Sequence, residues 1–328
     1  MITFWIAVLA LTILLYVLLD GFDLGVGILF GLTRNEAHRR HMLSAVSPVW
    51  DGNETWLVLA GTILFGAFSR AYALLLSSFY LPIVLMLGAL ILRGVAFEFR
   101  YKATRSRWFW DLAFSGGSLV AAFSQGVTVG ALAKGLPIRD GVYVGGAFGW
   151  LSVVSILCGI GLCLGYALLG AGWLVAKCEG AVRERAYRLL PALSLGVLAF
   201  LATAFVVAAL DHLQIMQRWT ERPYLAGFPI AGAVAAAFLI RGVQTRSDIV
   251  PILMIATMFL AAFGTLAVSF WPYMVPFSLT VSDAASPPSS LSFMFWGAGL
   301  MVLPLILTYT VTVYRVFRGK VVEETAYH

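Results

Sequence analysis

The feature that most limits what this chain can become is its succession of long apolar runs. A helix crossing the hydrocarbon core of a bilayer needs about 20 mostly apolar residues. In lipid it must also satisfy its own backbone groups, which a helix does. Nine such runs can be marked, at residues 4–31, 55–69, 74–97, 111–133, 142–174, 190–211, 224–241, 248–271 and 291–314. Charged residues make up 12% of the chain, about half of the roughly 25% usual in soluble domains. The expectation is an all-α integral membrane protein of about nine transmembrane helices. The second run is short and the third follows it closely. The fifth is overlong and is expected to tilt or to emerge from the bilayer. The first has no basic residues ahead of it and continues well past a signal-peptide core, so it reads as a retained helix.

The loops orient these runs. With the N-terminus outside, sixteen Lys and Arg fall in cytoplasmic segments: Arg34, Arg39 and Arg40; Arg100, Lys102, Arg105 and Arg107; Lys177, Arg183, Arg185 and Arg188; Arg241 and Arg246; Arg315, Arg318 and Lys320. Five fall outside, namely Arg70, Lys134, Arg139, Arg218 and Arg222, and Arg93 lies within the third run. That asymmetry follows the positive-inside rule and places the C-terminus in the cytoplasm. It also accounts for the net charge of +6 through topology, with no nucleic acid as partner. The chain reads as one polytopic domain, 1–328. Pseudo-halves at about 1–134 and 190–320, joined by a long fifth helix, suggest two four-helix bundles plus one peripheral helix. The prolines at 272, 276, 287 and 288 keep the segment between the last two runs from forming a continuous helix.

Acidic residues inside apolar helices are costly, about 2.5–3.5 kcal/mol each on insertion scales, and are functional candidates for that reason. Asp20 and Asp23 interrupt the first run three residues apart, on one helix face in the inner half of the membrane. Asp51 and Glu54 repeat that spacing at the inner entrance to the second run, where Asp51 can also serve as a helix cap. Arg93 and Glu98 lie near the inner end of the third run and can pair across the bundle; Asp20 can pair with an Arg such as Arg93. Gly21 and Gly25, like Gly27 and Gly31, have the spacing that lets helices approach closely. A row of carboxylates on the cytoplasmic side suits proton passage; helix pairing is the alternative role.

Redox ligands are scarce. His38 and His41 lie in a cytoplasmic loop, His212 at an outer helix end and His328 at the terminus, so none sits at mid-membrane depth. Cys158, Cys163 and Cys178 form no CxxC and read as small apolar fillers. The expectation is no cofactor and no metal on this chain.

Asp20-Gly21-Phe22-Asp23-Leu24-Gly25-Val26-Gly27 and Trp50-Asp51-Gly52-Asn53-Glu54-Thr55-Trp56 resemble the two signature stretches of subunit II of cytochrome bd-type quinol oxidases. Residues 93–100, 124–126, 271–276 and 305–310 extend the resemblance over essentially the whole chain, whose short outer loops look like the compact, cyanide-insensitive branch. The resemblance implies a heterodimer in the bacterial cytoplasmic membrane. Its subunit I would carry haem b and haem d (or b in its place) together with the quinol site. This subunit would have nine helices and no haem, and a small single-helix accessory subunit can accompany the pair. A structural quinone on subunit II occurs in some members and stays open here. The complex would oxidise quinol and reduce O₂ to water with protons from the cytoplasm. Asp23 and Asp51 match positions tied to proton access, and Trp56 one near the mouth of an oxygen path. Asp20, Glu54 and Arg93 match motif positions without an assigned role. Two readings compete: a proton-coupled secondary transporter, whose sites favour the midplane, and a purely structural scaffold.

Overall fold

The computed structural model of the chain describes residues 1–211, 219 and 222–321. His212, Arg218 and His328 lie outside the described residues. In chain order the helices are α1 (Ile2–Gly31), α2 (Glu36–Val46), α3 (Trp50–Ala67), α4 (Ser69–Lys102), α5 (Arg107–Lys134), α6 (Val153–Lys177), α7 (Gly180–Leu210), α8 (Gly227–Gln244), α9 (Val250–Phe270), α10 (Val281–Ala284), α11 (Pro288–Met294) and α12 (Val302–Val316). Two small hairpins complete the described fold: β1 (Ile138–Arg139) with β2 (Val142–Tyr143), and β3 (Tyr273–Val275) with β4 (Leu279–Thr280).

Eight of the described helices are long and apolar enough to cross a membrane, with residues 288–316 counted as one. The exception among the nine expected runs is α3. It spans 18 residues, and its first turns hold Asp51, Asn53 and Glu54. It is separate from α4, because Phe68 between them leaves helical geometry at φ −136°, ψ 53°. Within α4 the helix kinks at Phe79 (φ −117°), three residues before Pro82, whose ring cannot coexist with a regular preceding turn.

The fifth run needs correction. No helix begins at 142. The chain turns there through Asp140 (φ 50°) and Gly141 (φ 76°), with Arg139 opposite Val142. Asp-Gly is the pair that a two-residue hairpin turn with positive φ favours. Helix α6 starts only at Val153, where Ser152 and Ser155 cap each other's backbone reciprocally. At 25 residues it is shorter than α4 with 34, so the long fifth helix is not present. The last run is interrupted as well: a π-helical stretch, Phe295–Gly299, separates α11 from α12.

Two bundles with one peripheral helix do not separate cleanly. Helix α6 packs against α1 and α5 on one side and against α7 and α9 on the other. The α1–α6 crossing is set by small residues. A Cβ on Gly25 would lie 1.8 Å from the Tyr166 carbonyl oxygen, and one on Gly170 would lie 2.4 Å from the Gly25 carbonyl carbon. Gly27 and Gly31 face Ser118 and Ser115 of α5 in the same way. One helix therefore seats two close neighbours, α6 at backbone distance and α5 against serine side chains, and α1 also packs on α3.

Candidate functional site

The site is built on α1. Helical spacing puts Asp20 and Asp23 on its buried face, with 0% and 2% of their surface exposed. Arg93 reaches them from α4 and is itself 2% exposed. Its Nη1 and Nη2 both donate to Asp20 Oδ1 at 3.0 Å. Its Nη2 also lies 3.4 Å from Glu54 Oε1 of α3, an ion-pair contact without hydrogen-bond geometry. Removing one partner of such a buried pair strands a charge, at a cost of about 3–5 kcal/mol.

Asp23 is held differently. Asn53 of α3 donates from Nδ2 to Asp23 Oδ2 at 2.7 Å and to the Leu19 carbonyl at 3.2 Å. Its own Oδ1 accepts from the Tyr314 hydroxyl of α12 at 3.0 Å. Asp23 Oδ1 is buried without a hydrogen bond. A narrow crevice beside Asp23 is lined by Val46, Trp50, Arg93, Phe97 and Phe114, with Trp50 and Phe97 stacked at 5.3 Å. The crevice joins the second carboxylate to the short helix α2 and the aromatic start of α3.

Of the residues singled out from the sequence, Asp20, Asp23, Glu54 and Arg93 are brought together. Asp51 is not. It is exposed in the first turn of α3, in no ion pair among the described residues, and the cap position is Val49, which makes no side-chain cap bond. Glu98 is exposed and pairs with no described residue, so the expected pairing across the bundle is corrected to Arg100. That side chain, 2% exposed, binds Glu36 of α2 at 2.7 Å and Asp111 of α5, which also takes Arg39 at 2.6 Å. Arg100 lies two turns past Arg93 on the same helix face, a spacing that would have found it. Trp56 is fully buried, and its indole N–H has no acceptor.

Three further groups were not among the site residues singled out, although Asn53 and Gln125 fall in the resembling stretches. Asn53 and Tyr314 lie 261 residues apart. Tyr16, Gln125 and Tyr166 form a buried chain through α1, α5 and α6. The third group is a C-terminal tie. Lys177 donates to the carbonyls of Phe317 (2.6 Å) and Gly319 (3.2 Å), and His41 Nε2 contacts the Val321 carbonyl at 3.0 Å. Lys320 pairs with Asp248 at 2.6 Å, and Arg183 reaches the same carboxylate at 2.6 Å. Burial works against the Asp248 charge, but the bonds from Lys320 and Arg183 prevail and hold its carboxyl below the usual range.

Among the described residues no group of three or more His, Cys, Asp or Glu is placed to hold a metal ion. The described histidines, His38 and His41, both sit on α2.

The sequence matches the family described as cytochrome bd terminal oxidase subunit II over residues 1–317. It is 31% identical to cytochrome bd-I ubiquinol oxidase subunit 2 of Escherichia coli (strain K12), over 98% of this chain and 95% of the relative. It is also 31% identical to cytochrome bd ubiquinol oxidase subunit 2 of Bacillus subtilis (strain 168), over 97% and 96%. In fold it is similar to a chain of the bd oxidase from Geobacillus thermodenitrificans, with a TM-score of 0.75 at 18% identity, covering 97% of this chain and 99% of that one.

Proposed function

Because the chain belongs to the cytochrome bd terminal oxidase subunit II family, we propose that it is the haem-free subunit of a complex that oxidises quinol and reduces O₂ to water. The complex sits in the bacterial cytoplasmic membrane. Two quinols supply four electrons, and four protons are consumed for each O₂. The electron carriers belong to a haem-bearing subunit I, as membership of the family implies. A small single-helix accessory subunit fits the same assembly.

In this reading α3 is the ninth crossing, admitted by its neighbours despite its polar first turns, and the N-terminus is outside. Cysteines introduced near Met1 and near Gly319 should then label from opposite sides of the membrane.

The observation that carries the mechanism is the buried cluster of Asp20, Asp23, Glu54 and Arg93 at the inner end of α1. One arginine faces three carboxylates, so the cluster has more proton-accepting oxygens than one cation can match. Arg93 clamps Asp20. Asp23 and Glu54 remain as the groups that take up and release protons, with exposed Asp51 as collector at the cytoplasmic face. Trp56 lines an oxygen path, as the family resemblance implies, with the apolar ring of its buried side chain as the surface offered to a small neutral gas.

Asp23→Asn keeps the size and the Asn53 contact but removes the exchangeable proton. It should slow quinol-driven oxygen consumption by about a hundredfold or more, the range general acid–base groups contribute, while haem content stays normal. Unchanged turnover in an intact complex would rule out Asp23 as a proton carrier. The tagged chain should co-purify with a coloured partner; a colourless single-component preparation that moves solute would favour a transporter instead.

A further inference from the structure

The Tyr16–Gln125–Tyr166 chain lies one helical turn outward of the cluster, and the mechanism above does not use it. Tyr166 is 0% and Tyr16 4% exposed. The Tyr166 hydroxyl donates to Gln125 Oε1 at 2.8 Å, and Gln125 Nε2 donates to the Tyr16 oxygen at 2.7 Å. A tyrosine hydroxyl has one proton to give. Tyr16 therefore keeps its proton for a third group, and Asp20 stands one turn on, four residues along the same face of α1. Asp20 Oδ2 is buried and has no hydrogen bond.

The orientation of the amide decides whether this happens. Turned end for end, Gln125 would accept from Tyr16, and Asp20 Oδ2 would remain without a donor. Tyr166 would also lose the acceptor for its proton, since its ring stacks on Phe259 and lies against Gly21 and Leu169. Buried polar groups find partners, and one orientation satisfies all three residues where the other strands two. Gly21 makes this possible: a Cβ there would come within 2.7 Å of the Tyr166 ring, so the glycine beside Asp20 admits the tyrosine that starts the chain.

We propose that Tyr166, Gln125 and Tyr16 are positioning residues that form a one-way hydrogen-bond chain, whose last proton is donated to Asp20 and fixes that carboxylate as the partner of Arg93. The chain keeps both hydrogen bonds of Arg93 on Asp20, leaving Asp23 and Glu54 without a hydrogen bond from it, and in this it rests on the proton-access reading above. Its effect is on the reaction through Arg93, with no contact to substrate.

The test uses the assembled complex in detergent. The carboxylate stretching band of Asp20 is assigned as the infrared difference between wild type and Asp20→Asn. Tyr16→Phe should shift that band, lower turnover several-fold and displace the pH profile of oxygen consumption, with the haem spectrum unchanged. Tyr166→Phe, which touches neither Asp20 nor Arg93, should shift the same band by less, and serves if Tyr16→Phe does not assemble. Tyr16→Phe combined with Asp20→Asn should be no slower than Asp20→Asn alone. An Asp20 band unmoved in both tyrosine variants overturns the chain. If the band moves but Asp23→Asn retains full turnover, the chain stands and the proton-access reading falls.

Discussion

The first five long helices, α1 and α3 to α6, and the later ones are all rich in apolar residues but are put to different uses. Fifteen of the 30 residues of α1 are buried, as are fifteen of the 25 of α6. Of the 31 residues of α7 only five are buried, all between Val182 and Ser194, and α12 buries none. Lipid tails are as apolar as leucine, so burial inside the protein is not driven by hydropathy; small residues and buried polar bonds drive it. The first region has both, in the Gly25–Gly170 crossing and the Asp20–Arg93 pair. The second has its polar ties at helix ends, through Lys177, Asp248 and Lys320. The difference teaches that the polar cluster is part of what makes the first half a core.

That contrast can be broken by substitution. The largest effect should come from Arg93→Leu, which leaves Asp20 without its cation. A loss of about 3–5 kcal/mol should appear as a lower thermal midpoint and poor recovery of the complex. Adding Asp20→Asn should restore much of it, because the stranded charge is then gone. Loss that persists in the double variant would mean that Arg93 supports the fold through Glu54. Next is Gly25→Ala, whose Cβ would meet the Tyr166 backbone at 1.8 Å. Overpacking of this kind costs about 1–3 kcal/mol and should lower the midpoint while leaving the C-terminal segment protected. The smallest effect belongs to the second region. Asp248→Asn removes partly exposed pairs worth about 0.2–1 kcal/mol and should speed proteolysis after Lys320 with little change in midpoint. The Asp248 carboxyl is held below its usual range, so its contribution is fully present above the ordinary carboxylate value near 4. It is lost as pH falls through the lower folded value. Wild-type and Asp248→Asn tails should therefore become equally susceptible in strong acid. A pH-independent difference would detach the tie from this carboxylate.

How much was legible in the chain differs by kind of feature. Apolar runs located the long helices because length alone decides that question in a bilayer. The cost of a buried carboxylate pointed to Asp20, Asp23 and Glu54, and the same logic pointed to Arg93 as a partner. Asn53 and Gln125 fall within the stretches that carry the family resemblance but, like Tyr314, drew no role, because neutral polar residues carry no such cost to mark them. Their meaning comes only from neighbours up to 261 residues away. The fifth helix was drawn too long because Val142–Tyr143 and the alanine and glycines after them are as apolar as a helix start. The Asp140-Gly141 turn that excludes one is a local backbone signal that a hydropathy window averages away. Glu98 and Arg100 are two residues apart and point to opposite environments, which spacing from Arg93 could have distinguished.

The Gly25–Gly170 crossing also has a consequence for the order of synthesis. Alone in the membrane, α1 carries two carboxylates, a burden of order 5–7 kcal/mol on insertion scales. Relief arrives with Arg93, 73 residues after Asp20. The groove that Gly170 closes is completed later still, when α6 emerges. Until then the Gly21–Gly25 face of α1 has no helix against it. Synthesis order thus gives α1 its two neighbours in turn: the ion pair forms on the Asp20–Asp23 face with α4, and the glycine crossing with α6 then closes the other face.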